Sequence, residues 1–202
     1  MKKWERYYEE YYCRLLIERY LPHYSFNKSE TPDWIDNQNS VGLECTIAQI
    51  NGGYATALKY AEYSRGECRN PEKRLEELNK TGTVTEWGYV HQTTDGNALP
   101  YIKIELEKKL IKLNQDKYQR FQENWLAVYL ENPIFEKDLE YYYQGLFEKQ
   151  QEYELRFDKI FICGSQLFVF DMNNGKWEYY TLDNQGSFAI YVAEVAKKEI
   201  VE

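Results

Sequence analysis

Thr31-Pro-Asp-Trp-Ile-Asp-Asn-Gln-Asn-Ser-Val-Gly-Leu-Glu-Cys-Thr46 has the grammar of a β-hairpin with acids on both of its strands. Pro32 steers Thr31 away from helical geometry and fixes its own φ, so an extended segment starts there. Trp34 and Ile35 favour a strand, and Asp36-Asn37-Gln38-Asn39-Ser40 is a run of turn formers. Val41, Leu43 and Cys45 then alternate with Gly42, Glu44 and Thr46, the period of a strand. This pattern puts Glu44 and Thr46 on one face and gives Asp33 to the neighbouring strand. Two carboxylates so placed can share a hard divalent cation through oxygen ligands. The same residues also suit a surface hairpin with solvated acids.

On the N-terminal side, residues 3–20 read as an amphipathic helix with Trp4, Tyr8, Tyr11, Tyr12, Leu15 and Leu16 on one broad face. Glu5 and Glu9 fall at the margin of that face, and Glu10 is expected to point away. Leu21-Pro22 ends the helix, and Tyr24-Ser25-Phe26 reads as a short strand. Beyond Thr46 the strand is expected to continue to Ile50 and to stop at Asn51-Gly52-Gly53.

Residues 51–99 read as an insertion. A helix is expected over 54–64, and a second from Asn70-Pro71, with Asn as cap and Pro at the first position, to Asn79. A strand follows over 83–90, with His91 just beyond it. A long helix over 101–122 carries Ile104, Ile111 and Tyr118 at heptad-like spacing, widened by Leu106, Leu110 and Leu113. Lys109 and Lys112 lie on its other faces. Residues 124–130 are nearly continuously apolar and read as a central strand. A helix over 136–155, a three-strand meander over 159–163, 166–171 and 177–182, and a helix over 187–198 complete the chain.

Pro32-Asp33, a turn, and then Gly42-Leu43-Glu44-Cys45-Thr46 resemble the signature of the PD-(D/E)XK nuclease-like superfamily. The likeness is narrower to bacterial and phage members with Gly-hydrophobic-Glu-hydrophobic-Thr in this place. The resemblance implies an α/β fold with a restriction-endonuclease-like core (helix, three strands, helix, strand), here extended by the insertion and by a C-terminal β-meander plus helix. It implies that Asp33, Glu44 and the backbone carbonyl of Cys45 hold Mg²⁺ or Mn²⁺. It implies that an acid of the first helix, Glu9 or else Glu5, joins them. The superfamily also carries a lysine two residues after the glutamate, where this chain has Thr46. A threonine hydroxyl can bond a water or a phosphate but cannot neutralise developing charge. Lys109 or Lys112, from the helix expected beside the Glu44 strand, are the candidates to supply that charge.

Composition bounds the function. The chain has 202 residues, suited to one α/β domain spanning 1–202, with 43% hydrophobic residues, 20 Tyr, 5 Trp and a net charge of −8. A protein that coats nucleic acid would be basic, whereas a metal-dependent nuclease has an acidic site until its cation arrives. Cys13, Cys45, Cys68 and Cys163 are scattered without CxxC pairing, which argues against structural zinc and for reduced thiols in a cytoplasm. No apolar run is long enough to span a bilayer. The leading expectation is metal-dependent hydrolysis of nucleic acid, DNA ahead of RNA. Its rival is a degenerate nuclease-like fold that acts as an accessory module, using the Tyr-rich surface for a protein partner or a homodimer. Acid-base chemistry on small molecules ranks third, since there are two His, no glycine-rich phosphate loop, and no nucleophile beside a base.

Overall fold

The computed structural model describes residues 4, 7–48, 63–64, 66, 68–80, 84–85, 88–89, 98–130 and 134–201. Its elements in chain order are α1 (Tyr8–Tyr20), β1 (Asn27–Lys28), β2 (Trp34–Asp36), β3 (Val41–Ile47), α2 (Pro71–Lys80), β4 (Val84–Thr85), β5 (Gly88–Tyr89), α3 (Leu99–Leu113), β6 (Glu123–Tyr129), α4 (Leu139–Gln150), β7 (Lys159–Cys163), β8 (Gln166–Asp171), β9 (Lys176–Thr181) and α5 (Gln185–Val201). The chain divides into two compact units, Met1–Ala48 with Ala98–Glu202, and Gln49–Asn97.

In the larger unit seven strands form one mixed sheet in the order β1-β2-β3-β6-β7-β8-β9. β1, β2 and β3 are antiparallel neighbours. β3, β6 and β7 run parallel, and β7, β8 and β9 form an antiparallel meander. The parallel steps need crossovers, and α3 and α4 supply them. Pleating then sends alternate residues to opposite faces. Val41, Leu43, Cys45, Trp125, Ala127, Phe161 and Cys163 meet Tyr12, Leu15, Leu16, Phe188 and Val192 of α1 and α5 in one core cluster. Gly42, Glu44 and Thr46 therefore take the opposite face.

The opening hairpin forms as read, with Trp34 opposite Leu43 and Asp36 opposite Val41. Asp36 organises its turn: the backbone N–H groups of Ser25, Gln38 and Asn39 all donate to the buried carboxylate, and so does Asn39 Nδ2. These bonds outweigh burial and hold its pKa below the usual value. Tyr24-Ser25-Phe26 is not a strand. The N–H groups of Ser25 and Phe26 donate to the side chains of Asp36 and Glu18, and pairing with β2 begins only at Asn27.

Two helices are shorter than expected, each for a visible reason. α3 ends at Leu113 because Asn114 donates to Leu110 O and Leu155 O and accepts from Leu155 N. Its buried stripe is Leu99, Ile102, Leu106, Leu110 and Leu113, while Ile104 and Ile111 are 51% and 52% exposed. The heptad-like reading thus chose the wrong face, and Tyr118 lies beyond the helix. α4 is preceded by one 3₁₀ turn and ends at Gln150, whose side chain bonds both the N–H and the carbonyl of Phe157.

In the smaller unit α2 begins as expected, with Asn70 Oδ1 accepting from Lys73 N, and β4 and β5 pair antiparallel. The expected helix over 54–64 falls mostly, and His91 wholly, outside the described residues. Among the described residues no helix is long and apolar enough to cross a membrane.

Candidate functional site

Glu44 is the only carboxylate among the described residues that is completely buried, and it sits on β3 next to the paired strand β6. A buried charge survives only with partners, and two lysines of α3 provide them. Lys109 Nζ donates to Glu44 Oε2 at 2.7 Å, and Lys112 Nζ donates to Oε1 at 2.7 Å. The two lysines are three residues apart, so one helix face presents both.

Asp33 precedes β2, and its Oδ2 accepts a 2.7 Å bond from the backbone N–H of Cys45. That bond ties the hairpin's first acid to the strand that carries its second. Lys109 Nζ also lies 3.6 Å from Asp33 Oδ2, so one ammonium serves both carboxylates. Burial pushes the Lys109 pKa down, but Asp33 and Glu44 together more than offset this and leave it raised. The Cys45 thiol is pushed well up by burial, with Cys13, Asp33 and Glu10 adding to the shift.

Packing fixes the geometry around the acids. A Cβ on Gly42 would come within 2.6 Å of a ring carbon of Phe121 and 2.9 Å of Pro32 Cγ. Glycine is therefore required for Pro32, and Asp33 after it, to seat against β3. The hydroxyl of Tyr118 is buried beside Glu44; burial first, then the charge of Glu44 and hydrogen bonding to it, raise its pKa.

The remaining sequence candidates are distributed unevenly. Thr46 Oγ1 donates to Glu105 Oε2 at 3.0 Å, and Glu105 in turn pairs with Lys108. Thr46 is thus engaged with α3 rather than with Asp33 or Glu44. On α1 Glu10 adjoins the cluster, which corrects the expectation that Glu10 points away. Burial raises the Glu10 pKa, Lys28 opposes this, and Asp33 and Lys109 also act on it. Glu10 also accepts a hydrogen bond from Lys28, whose ammonium lies over the rings of Tyr7 and Trp34. The reason is helical phase: Glu10 precedes Arg14 by four residues, on the flank of α1 that meets Trp34. Glu9 acts on Tyr8 and Cys13, and Glu5 lies outside the described residues.

Sequence reading missed Glu10, Lys28, Glu105 and Tyr118. Of these, Glu105 had a signal, since Glu105, Lys109 and Lys112 follow the i, i+4, i+7 spacing of one helix face. Among the described residues no three His, Cys, Asp or Glu side chains converge as a metal-ligand group. Compared with known proteins, the chain matches no family model, no curated protein and no solved structure.

Proposed function

We propose that the chain is a divalent-metal-dependent nuclease with a restriction-endonuclease-like core, hydrolysing phosphodiester bonds of nucleic acid at Asp33, Glu44 and Lys109. The observation that carries this reading is the convergence of two carboxylates from adjacent strand segments on a single ammonium. The element order supports it as well: a helix, an antiparallel three-strand meander, a crossover helix and a strand parallel to the third.

The donor set fits the metal. Asp33 and Glu44 offer hard oxygen ligands, and Mg²⁺ commonly takes one or two carboxylates and completes its shell with water. Two acids without a third are therefore sufficient. Cys45 directs its N–H at Asp33, and the carbonyl of a strand residue leaves on the same side as its N–H, so that oxygen belongs to the same neighbourhood. When bound, the cation would polarise the phosphate and lower the pKa of a water.

The chain's own residues do the rest. The Cys45 N–H holds Asp33 in position, and burial holds Glu44. Lys109 supplies the positive charge that Thr46 cannot, with donors for a water or a phosphate oxygen. Lys112 pairs with the second oxygen of Glu44.

One observation favours a second reading. Both oxygens of Glu44 already have ammonium partners, so the cluster is satisfied as an ion network without metal. On that reading the fold is a degenerate module whose working part is its surface, where Phe135, Tyr141, Trp177 and Tyr179 are exposed. Cleavage assays on plasmid and single-stranded substrates in Mn²⁺, with wild type and Asp33→Asn, separate the two. The nuclease reading requires wild-type cleavage that EDTA abolishes and that falls by at least about 100-fold in Asp33→Asn. Cleavage that persists unchanged in the variant, or none in the wild type, rejects it.

A further inference from the structure

Lys109 stands where a shared cation would stand. Its ammonium is 2.7 Å from Glu44 Oε2 and 3.6 Å from Asp33 Oδ2, and Lys112 holds the other oxygen of Glu44. An ammonium and a divalent ion cannot both lie between the same two carboxylates, because the oxygens facing that space are already engaged and like charges repel. The flexible four-carbon stem of a lysine lets its ammonium move aside while the carboxylates keep their places. Lys112 is differently placed: it meets Glu44 at the other oxygen, 2.7 Å from Oε1.

We infer that Lys109 is the resident counter-ion of this site, and that a divalent cation binds Asp33 and Glu44 only by displacing it. Lys109 therefore sets the divalent affinity, in addition to any part it takes with substrate. The inference rests on the reading that these two acids form a cation site. It distinguishes Lys109 from Lys112, which neutralises Glu44 whether or not a divalent ion is present.

The test is calorimetric titration of Mn²⁺ alone into wild type, Lys109→Met, Lys112→Met and Lys109→Arg. Methionine keeps most of the apolar stem and removes the competing charge. Lys109→Met should bind Mn²⁺ about ten-fold or more tightly than wild type, and its gain should exceed that of Lys112→Met by about three-fold. Lys109→Arg, which keeps the charge and grips carboxylates as a fork, should bind about three-fold or more weakly than wild type. This arm decides the question if the methionine variant does not fold.

Wild-type binding with equal gains for the two methionine variants, or an arginine variant that binds like wild type, overturns the inference and leaves the nuclease reading standing. No binding by wild type or by Lys109→Met overturns both. Binding by Lys109→Met alone upholds the displacement and rejects metal dependence of the natural protein.

Discussion

Glu44 has no solvent to stabilise its charge, so its neighbours must do so. Removing one partner of a buried ion pair leaves the others uncompensated. Glu44→Ala should therefore cost about 3–5 kcal/mol in urea denaturation, and a loss below about 1 kcal/mol would contradict this account. The same cluster sets an alkaline limit. The folded pKa of Lys109 is raised above 10.5, so its stabilising charge is fully present below that pH and is lost as pH rises through the folded value. Wild type should lose stability above pH 10.5 in a step that Lys109→Met lacks. At this scale the sequence was partly legible. Asp33 and Glu44 stand out because hairpin grammar sets them on adjoining strands, and Lys109 and Lys112 because their helix was expected beside the Glu44 strand, where Thr46 leaves a charge to be supplied. Glu10 did not, because the buried face of α1 is continuous from Tyr11 to Ile17, which leaves helical periodicity no contrast with which to phase an acid at its edge.

The hairpin and α3 are the elements that hold the site, and each is fixed by a close approach. Gly42 lets the Phe121 ring and Pro32 rest on β3, and Pro32 carries Asp33 directly behind it. Gly42→Ala should cost about 1–3 kcal/mol, since either the ring or the proline must shift. If Pro32 gives way, the Cys45–Asp33 bond lengthens, and Mn²⁺ affinity should fall along with stability. A variant as stable as wild type would show that Phe121 alone moves, at no cost. Turn residues and strand alternation made the hairpin readable in advance. The end of α3 was not, because the bond that stops it joins Asn114 to Leu155, 41 residues later. Its outward face was misread because Ile104 and Ile111 are apolar yet unburied, and composition alone does not distinguish an exposed isoleucine from a core one.

For the whole molecule, the order of helices and strands was largely visible from periodicity, whereas the pairing of β3 with β6 across the intervening insertion is a long-range choice that local pattern does not fix. Charge adds a constraint on how such a fold meets a polyanion. The chain carries a net charge of −8, and the lysines nearest the candidate site, Lys28, Lys109 and Lys112, are each paired with an acid. Without a divalent ion the described residues offer a phosphate little free positive charge at the site. On the proposed nuclease function, nucleic-acid binding should therefore depend on the cation itself, which Ca²⁺ can test as a hard, oxygen-seeking ion. Fluorescence anisotropy of a labelled DNA duplex should show affinity at least about ten-fold tighter in Ca²⁺ than in EDTA. The dependence of log K on log salt should be shallow, matching about two or three phosphate contacts rather than the six to ten of a basic DNA-binding surface. Tight binding in EDTA with a steep salt slope would mean that the nucleic acid is held by lysines and arginines away from Asp33 and Glu44. The acid cluster would then bear on cleavage alone, and recognition would have to be sought on another surface.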